Sequence, residues 1–294
     1  MRRVVIFLAV AALALPAFAR SRYGSHNGLS VTMGDDDGPI TDCGQIRVTY
    51  DGDRVPVISE DLPVGSVRSL KVRSDRNGGI QVTGGAGAFA VKVCKASALG
   101  DARDLRVNFS GNEVSAERID GNSSVVYFLV SVPRGARLDL SANNGPIGIE
   151  SVDGTITAHA QNGPISLKDS SGTLDMSTQN GPISFSGDSG NVKLRATNGP
   201  IAVRLQGNGW NGGSLDAETQ NGPLALNLPR GYRSGVVVES DGNGPITCRA
   251  EACRDVRRFN DDGDDDRPRR IELGSGARAI TLSTNNGPVS VKEE

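Results

Sequence analysis

Aromatic residues and histidine are scarce in this sequence. Phe, Trp and Tyr together make up 4% of the 294 residues, and His26 and His159 are the only histidines. A compact core usually buries several aromatic side chains, and neither histidine lies at zinc-ligand spacing from a cysteine. The 38 glycines instead favour a fold with many tight turns.

Long apolar segments are absent after the first twenty residues. Residues 1–19 begin with two arginines, continue with an apolar run over 4–15 and end in the small-residue site Ala17-Phe18-Ala19, a pattern typical of secretory signal peptides. The run is shorter than the roughly twenty residues that a membrane helix needs. We therefore expect an exported protein with no membrane span, located in the periplasm, on the outer surface or in the medium.

Basic charge is not in excess. Without the two arginines of the leader, 30 Lys and Arg residues stand against 34 Asp and Glu residues. Nucleic-acid-binding proteins generally have the opposite balance, so we predict no nucleic-acid partner, and we expect no cofactor.

An Asn-Gly-Pro turn recurs along the second half of the chain. The steps from one Asn to the next are 18, 18, 18, 23, 22 and 43 residues, and the last is close to two longer steps with an insertion hiding one copy. The seven copies begin at Asn144, Asn162, Asn180, Asn198, Asn221, Asn243 and Asn286.

Between these turns apolar and polar residues alternate, as in Leu174, Met176 and Thr178 before one turn and Ile183 and Phe185 after it. This period of two is typical of strands with one buried face. A single repeat cannot bury that face alone, so stacked neighbours must complete it. The sequence therefore predicts an all-β, single-chain parallel β-solenoid, similar to a β-helix, with coils of 18–23 residues and Asn-Gly-Pro corners.

A second recurrent motif extends the repeat system towards the N-terminus. It occurs as Leu62-Pro63-Val64-Gly65, Val132-Pro133-Arg134-Gly135 and Leu228-Pro229-Arg230-Gly231.

We expect a signal peptide over 1–19, an N-terminal lead-in or cap with the first strands over 20–61, and the solenoid domain over 62–294.

The turn residues suggest how each corner is made. Asn tolerates left-handed dihedrals, Gly accepts positive φ, and Pro fixes φ without donating a hydrogen bond. We expect the inward column to end in a small residue and then in these asparagines. If the coils stack at about 4.8 Å, equivalent asparagine side chains fall in register and form a hydrogen-bonded amide ladder that satisfies buried polar groups. The predicted ladder comprises Asn144, Asn162, Asn180, Asn198, Asn221, Asn243 and Asn286.

The four cysteines, Cys43, Cys94, Cys248 and Cys253, all lie in the exported part, where disulfides are permitted. Cys248 and Cys253 are close enough in sequence to close a small loop, which would leave Cys43 for Cys94. Four cysteines nevertheless allow three pairings.

An acidic insertion over 249–270 interrupts the repeats, and we interpret it as a solvated loop. Clustered carboxylates suit calcium, but their spacing matches neither an EF-hand nor a calcium-binding β-roll. We therefore predict no metal site and retain these residues as weak calcium candidates: Asp261, Asp262, Asp264, Asp265 and Asp266.

The leader, the recurring Asn-Gly-Pro-Ile turns and the Leu-Pro-x-Gly coil starts resemble the bacterial adhesin-like family of β-strand repeat proteins known as DUF4097. The resemblance covers about residues 62–292. It implies a β-solenoid, export and an adhesin-like role by fold analogy, and it assigns no binding residue.

We therefore expect a non-enzymatic envelope protein whose faces bind an unidentified surface glycan or protein. Just before the turns, the outward residues Gln161, Gln179, Thr197 and Gln220 could form a polar stripe that contacts the glycan or protein. The alternative is that they are only solvent-facing strand residues. The alternative role is a periplasmic scaffold or envelope-stress signalling partner. The C-terminal strand, followed only by Lys292, Glu293 and Glu294, would leave an edge open to end-to-end self-association.

A polysaccharide-active enzyme is the less favoured alternative, because its carboxylates do not recur as a pair. The candidates would be Asp139, Glu150, Asp153, Asp175 and Asp216. His159 is expected to face solvent rather than to join a catalytic triad, and no catalytic residue is assigned. The ring of Trp210, in a glycine-rich bulge, would be either an exposed glycan platform or tucked against the coil edge.

Overall fold

The computed structural model describes residues 23–24, 28–33, 39–75, 77–117, 123–242, 244–253, 257–259 and 269–294. Within these ranges the chain is all-β, as predicted, with three 3-10 turns at Cys43–Gln45, Ala102–Asp104 and Glu251–Cys253. The predicted signal peptide, Asn243 and the segment from Asp261 to Asp266 lie outside the described residues.

The N-terminal part forms a small sheet of its own, here called sheet I. Its antiparallel strands are β1 (Tyr23–Gly24), β2 (Leu29–Met33), β3 (Ile46–Tyr50) and β4 (Asp53–Val55). Val31 and Val48 pack with Tyr127 and Leu129 of a later strand in one apolar cluster. The Cys43–Cys94 disulfide joins the two parts covalently.

The remaining strands belong to two large sheets. In chain order they are β5 (Ile58–Leu62), β6 (Ser69–Ser74), β7 (Ile80–Gly84), β8 (Ala90–Ser97), β9 (Val107–Ser110), β10 (Glu113–Ala116), β11 (Ser124–Val132), β12 (Ala136–Ala142), β13 (Ile147–Glu150), β14 (Asp153–Ala160), β15 (Ile165–Lys168), β16 (Ser171–Thr178), β17 (Ile183–Gly187), β18 (Asn191–Asn198), β19 (Ile201–Leu205), β20 (Leu215–Asn221), β21 (Leu224–Leu228), β22 (Gly235–Ser240), β23 (Ile246–Cys248), β24 (Arg257–Phe259), β25 (Arg270–Leu273), β26 (Arg278–Asn286) and β27 (Val289–Glu293).

Sheet II has the strand order β24-β25-β22-β26-β20-β18-β16-β14-β12-β6-β10-β9, and sheet III the order β23-β27-β21-β19-β17-β15-β13-β7-β11-β8-β5. Pairing is parallel from β22 to β10 in sheet II and from β23 to β11 in sheet III. Antiparallel strands complete both edges of sheet II and one edge of sheet III, whereas β23, at the other edge of sheet III, is parallel to β27. Each Asn-Gly-Pro segment connects a strand of sheet II to the next strand of sheet III.

The register repeats at the spacing of the sequence motif. Leu174 of β16 lies beside Ile156 of β14 and Val192 of β18, and all three are buried in the core between the sheets. The strands alternate buried and accessible positions, as in the central part of β16, where Leu174, Met176 and Thr178 are buried. The predicted alternation is therefore confirmed here.

Two strand pairs of the parallel stack, the first and the last in chain order, are each inserted between two other pairs. β26 and β27 lie between β20-β21 and β22-β23, so that Asn286 stacks on Asn221 rather than following residue 243. At the opposite end, β6 and β7 lie between β12-β13 and β10-β11. Stacking therefore does not follow chain order, because the Asn286 copy takes an interior place that chain order would give to the preceding copy.

The C-terminal strand is consequently not an open edge. β27 is paired with β21 on one side and β23 on the other. The Glu294 carboxylate accepts hydrogen bonds from Arg204 Nε at 2.8 Å and from Asn227 Nδ2 at 3.0 Å. β27 therefore does not offer the open edge through which the sequence had made end-to-end association possible.

The Leu-Pro-x-Gly motif marks places where the chain leaves the regular stacking order. Gly135 connects β11 to β12 and Gly231 connects β21 to β22, and each connection passes over one inserted strand pair. Gly65, between β5 and β6, has the same local conformation, with φ values of 59°, 71° and 69° for Gly65, Gly135 and Gly231. Glycine adopts this left-handed conformation without steric cost.

The glycines of the Asn-Gly-Pro corners are needed for a different reason. Gly145, Gly163 and Gly181 are not in the left-handed region, contrary to the expected use of positive φ. A Cβ on Gly163 would lie 2.0 Å from the Gly145 carbonyl oxygen, and one on Gly181 would lie 2.3 Å from that of Gly163. Glycine is required because successive corners stack too closely for a side chain.

Replacing Gly163 by Ala is expected to lower the free energy of unfolding by at least about 2 kcal/mol, since the added methyl group would force the Gly145 backbone away. Urea denaturation measures the change. Gly87→Ala is the matched control, because a Cβ at Gly87 has no neighbour within 4 Å. Equal denaturation midpoints for Gly163→Ala and the unchanged protein would contradict close corner stacking.

Candidate binding surface

Successive Asn-Gly-Pro corners are connected through both backbone and side chains. The Ile147 N–H donates to the Pro164 carbonyl at 2.9 Å, and the Ile165 N–H donates to the Pro182 carbonyl at 3.0 Å. Proline cannot donate, but its carbonyl remains an acceptor for the neighbouring corner. These bonds align the corners in register.

The asparagine side chains of these corners form a continuous series of hydrogen bonds. Asn162 Nδ2 donates to Asn144 Oδ1 at 2.9 Å, and Asn180 Nδ2 donates to Asn162 Oδ1 at 2.9 Å. The series continues from Asn198 to Asn180 at 3.0 Å, from Asn221 to Asn198 at 3.1 Å and from Asn286 to Asn221 at 3.0 Å. Asn243 is not among the described residues.

All six of these asparagines are exposed. The expectation that they end the inward column and satisfy buried groups was therefore wrong. The column of inward side chains ends two residues before each asparagine, at small side chains such as Ala160 and Thr178. Thr178 Oγ1 donates to the Gly163 carbonyl at 3.3 Å, so a threonine hydroxyl, rather than an asparagine, serves the buried corner backbone.

A second column of polar residues runs beside the asparagines. Gln161, Gln179 and Gln220 are exposed, and within the described part of the chain their side chains make no hydrogen bond to protein groups. We call the two columns together the amide strip, which comprises Asn143, Gln161, Gln179, Thr197, Gln220 and Asn285 in one column and Asn144, Asn162, Asn180, Asn198, Asn221 and Asn286 in the other.

A shallow groove of about 400 Å³ adjoins the amide strip on the outer face of sheet II. It is lined by residues of both the face and the strip: His159, Ser177, Thr178, Gln179, Arg195, Ala196, Thr197, Glu218 and Gln220. His159 Nδ1 lies 3.0 Å from Ser177 Oγ, and Arg195 pairs with Asp175 at 3.1 Å. Both polar and apolar atoms line the groove, and the nearby charges are of both signs.

His159 faces outward, as its alternation with Ala158 and Ala160 predicted. Its ring contacts Ser177, but among the described residues no carboxylate is hydrogen-bonded to it. A serine nucleophile activated by histidine requires an acid to orient the ring. The pair is therefore a surface hydrogen bond between neighbouring strands.

The carboxylates considered for glycoside cleavage do not converge. Asp139, Asp175 and Asp216 are outward residues of sheet II separated by intervening strands. Asp175 pairs with Arg195. Glu150 is nearly buried and belongs to sheet III, where Lys168 Nζ lies 3.0 Å from one of its oxygens. Asp153 accepts a hydrogen bond from Ser171 Oγ at 3.3 Å.

A wider depression of about 790 Å³ lies near the corner that follows β21, with Glu251, Glu272, Glu293 and Tyr232 in its lining. Arg270 donates to Glu272 at 2.8 Å and holds the pKa of that carboxyl below its usual value. Burial raises the pKa of the Tyr232 hydroxyl to about 12. In the described residues no cluster of three or more metal-ligand side chains occurs, and the calcium candidates from Asp261 to Asp266 lie outside them.

Trp210 is a core residue and not an exposed platform. Its ring is 9% exposed, lies 5.9 Å from that of Phe185, and donates from Nε1 to the Gly190 carbonyl at 3.1 Å. The glycine-rich bulge folds the indole over the core beside the turn between β17 and β18 that contains Gly190.

Two disulfides, Cys43–Cys94 and Cys248–Cys253, resolve the three pairings that the sequence allowed. None of the helices among the described residues is long and apolar enough to cross a membrane.

No protein-family model matches this chain, and no curated protein sequence matches it. Several solved structures are similar in part. A "putative cell adhesion protein" from Clostridium sporogenes ATCC 15579 is 9% identical, with a TM-score of 0.34, over 82% of this chain and 100% of the other. A "putative adhesin" from Bacteroides fragilis NCTC 9343 is 11% identical, with a TM-score of 0.39, over 81% and 97%. A "putative adhesin" from Parabacteroides merdae ATCC 43184 is 8% identical, with a TM-score of 0.25, over 81% and 96%.

Replacing Asn180 by Asp is expected to destabilise the stack by about 1–2 kcal/mol at neutral pH, because a carboxylate cannot donate to Asn162 Oδ1. Repulsion in the folded state raises the pKa of the new carboxyl above its unfolded value. The destabilisation should therefore be complete above the folded pKa and shrink as the pH falls through about 4, where the protonated group can donate.

Urea denaturation at pH 7 and at pH 3 measures this difference, each time relative to the unchanged protein. Gln179→Glu, one residue away, is the control, because the Gln179 side chain is exposed and takes no part in the series. Loss of stability by Asn180→Asp that is equal at both pH values would show that the hydrogen bonds between asparagines contribute nothing.

Proposed function

We propose that this protein is an exported, non-enzymatic, adhesin-like binding protein, built as a parallel β-solenoid with coils of 18–23 residues and Asn-Gly-Pro corners. The observation that carries the proposal is the amide strip, an exposed polar surface that repeats from strand to strand along the stack. Three of its glutamines are not used for internal hydrogen bonds.

The solenoid part of the proposal is supported by the pairing register. Each corner connects a strand of sheet II to one of sheet III, and equivalent residues 18 positions apart lie side by side in both sheets. Stacking of this kind buries a core that one repeat could not form. It also produces flat outer faces on which the same position recurs, as a surface for multivalent binding requires.

A binding role is favoured over catalysis by how the carboxylates are used. Glycoside hydrolysis needs two carboxyl groups facing one bond, whereas Asp175 and Glu150 are each paired with a cation and belong to different sheets. The groove beside the strip is shallow and open. Such a surface suits recognition of an extended partner.

Export is supported by two separate features. Residues 1–19 have the composition of a signal peptide. The disulfides Cys43–Cys94 and Cys248–Cys253 are typical of proteins that fold outside the reducing cytosol.

Cosedimentation of the purified protein with intact cells and with isolated envelope fractions tests the proposed function. We expect saturable binding that excess soluble glycan reduces, because the exposed faces would engage surface polymers. A disulfide-bonded protein of similar size and charge serves as the control. Absence of saturable binding to every fraction would contradict the adhesin-like function and favour a periplasmic scaffold or signalling partner.

A further inference from the structure

The amide strip has a large unused capacity for hydrogen bonding. Within the ladder, an interior residue such as Asn180 uses one N–H and one oxygen lone pair, so a second N–H and a second lone pair remain. Gln161, Gln179 and Gln220 retain all of theirs. Each strand of the strip therefore presents both donors and acceptors to solvent, which matches a ligand with groups that donate and accept at once.

The charges beside the strip favour an uncharged ligand. Arg195 is paired with Asp175 at 3.1 Å on one side and lies next to Glu218 of β20 on the other. The strip itself contains only amides and one threonine. Glu218 would repel a polyanion, and no surplus of positive charge would attract it. Arg195 would repel a polycation. A neutral ligand avoids both costs.

The strand pairing distinguishes a glycan from a peptide. Extended peptides bind sheets mainly by adding a strand to a free edge. β14, β16, β18 and β20 carry the centre of the strip, and each is paired on both sides. Their backbone groups are engaged, so only side chains are offered. A hydroxyl group donates and accepts hydrogen bonds through one oxygen atom. Sugar hydroxyls can therefore pair with side-chain amides even where no backbone group is free.

The geometry of the strip also sets the form of the ligand. Its six positions in each column are spaced at about 4.8 Å, which gives a length of roughly 25 Å along the stack. A linear polysaccharide in an extended conformation presents hydroxyls at a comparable repeat. A compact metabolite would contact only two or three positions.

From these observations we infer that the amide strip binds an uncharged, linear polysaccharide that lies across the strands of sheet II beside the groove of His159 and Arg195. This inference rests on the proposed adhesin-like function and specifies its ligand class. The sugar hydroxyls donate to amide oxygens and accept from amide N–H groups, one sugar unit for each one or two strands. Individual contacts are weak, and affinity arises from their repetition.

Titration of the full protein with two neutral probes, cellohexaose and the fully N-acetylated hexamer of chitin, and one anionic probe, the hexamer of polygalacturonate, tests the inference. The variant Gln161→Ala/Gln179→Ala/Gln220→Ala removes the glutamine amides at the C-terminal ends of β14, β16 and β20. The control Thr155→Ala/Thr173→Ala/Ser214→Ala changes three exposed positions near the N-terminal ends of the same three strands, remote from the strip. Ligand-observed NMR or calorimetry reports the dissociation constants, and melting temperatures confirm folding.

We expect at least one neutral hexasaccharide to bind, about tenfold or more weaker binding to the glutamine variant, and unchanged binding to the control variant. The anionic hexamer should bind no better than the neutral ones. Equal binding by both variants, or binding of polygalacturonate alone, overturns the inference. The inference is also overturned if sedimentation velocity shows that the protein is a dimer and that the glutamine variant is a monomer. The strip would then be an interface between two copies of the chain.

The same preparations separate this inference from the proposed function. If the protein and the glutamine variant bind cells equally in cosedimentation while no neutral hexasaccharide binds, the ligand assignment fails and the adhesin-like function stands. If neither cells nor oligosaccharides are bound, both fail.

Discussion

The close stacking of glycine on glycine at the Asn-Gly-Pro corners is the constraint on which the rest of this structure depends. With no side chain at Gly163 or Gly181, each corner approaches the next so closely that a Cβ would collide with a carbonyl oxygen. This approach places Pro carbonyls within reach of the next N–H and brings the asparagine amides into hydrogen-bonding distance. Both the buried alternation in the strands and the exposed amide strip follow from that alignment.

The inserted strand pairs give the stack ends that differ from those of a simple repeat array. An outermost parallel strand would offer its backbone to other chains. Here β26 and β27 are held between neighbours, and antiparallel strands such as β25 and β9 complete the edges of sheet II. Sheet I covers one apolar surface of sheet III at the other end. In sheet III the outermost strand at the β27 end, β23, is parallel and is paired with β27 alone among the described residues. The outer faces of the repeats and this edge are therefore the surfaces that a partner can contact.

Much of the repeat could be predicted from the sequence because it depends on local patterns. The alternation around Leu174 and Met176 and the seven turn motifs indicate paired strands in register. The place of the last strand pair could not be predicted, since Asn286 and Asn243 begin the same kind of motif and only tertiary packing decides which stacks on Asn221. The exposure of the asparagines was missed because the alternation was extended two residues too far into the corner, from Thr178 to Asn180.

The candidate site was only partly visible in the sequence. The outward stripe of Gln161, Gln179 and Gln220 follows directly from the period of two, whereas the groove that contains His159 and Arg195 arises from residues of neighbouring strands that become adjacent only when the stack forms. For Trp210 the sequence allowed either an exposed ring or a ring tucked against the coil edge. The structure has the second of these, with the indole packed against Phe185.

Hydrogen–deuterium exchange of residues 278–293 tests most directly whether the corners stack as described. Because β26 and β27 are bonded to neighbours on both sides, their amides should exchange as slowly as those of β18 and β19, even though they end the chain. Exchange of these residues as fast as that of an unpaired terminus, with β22 and β23 remaining protected, would contradict the inserted strand pair and the continuous corner stack that depends on it.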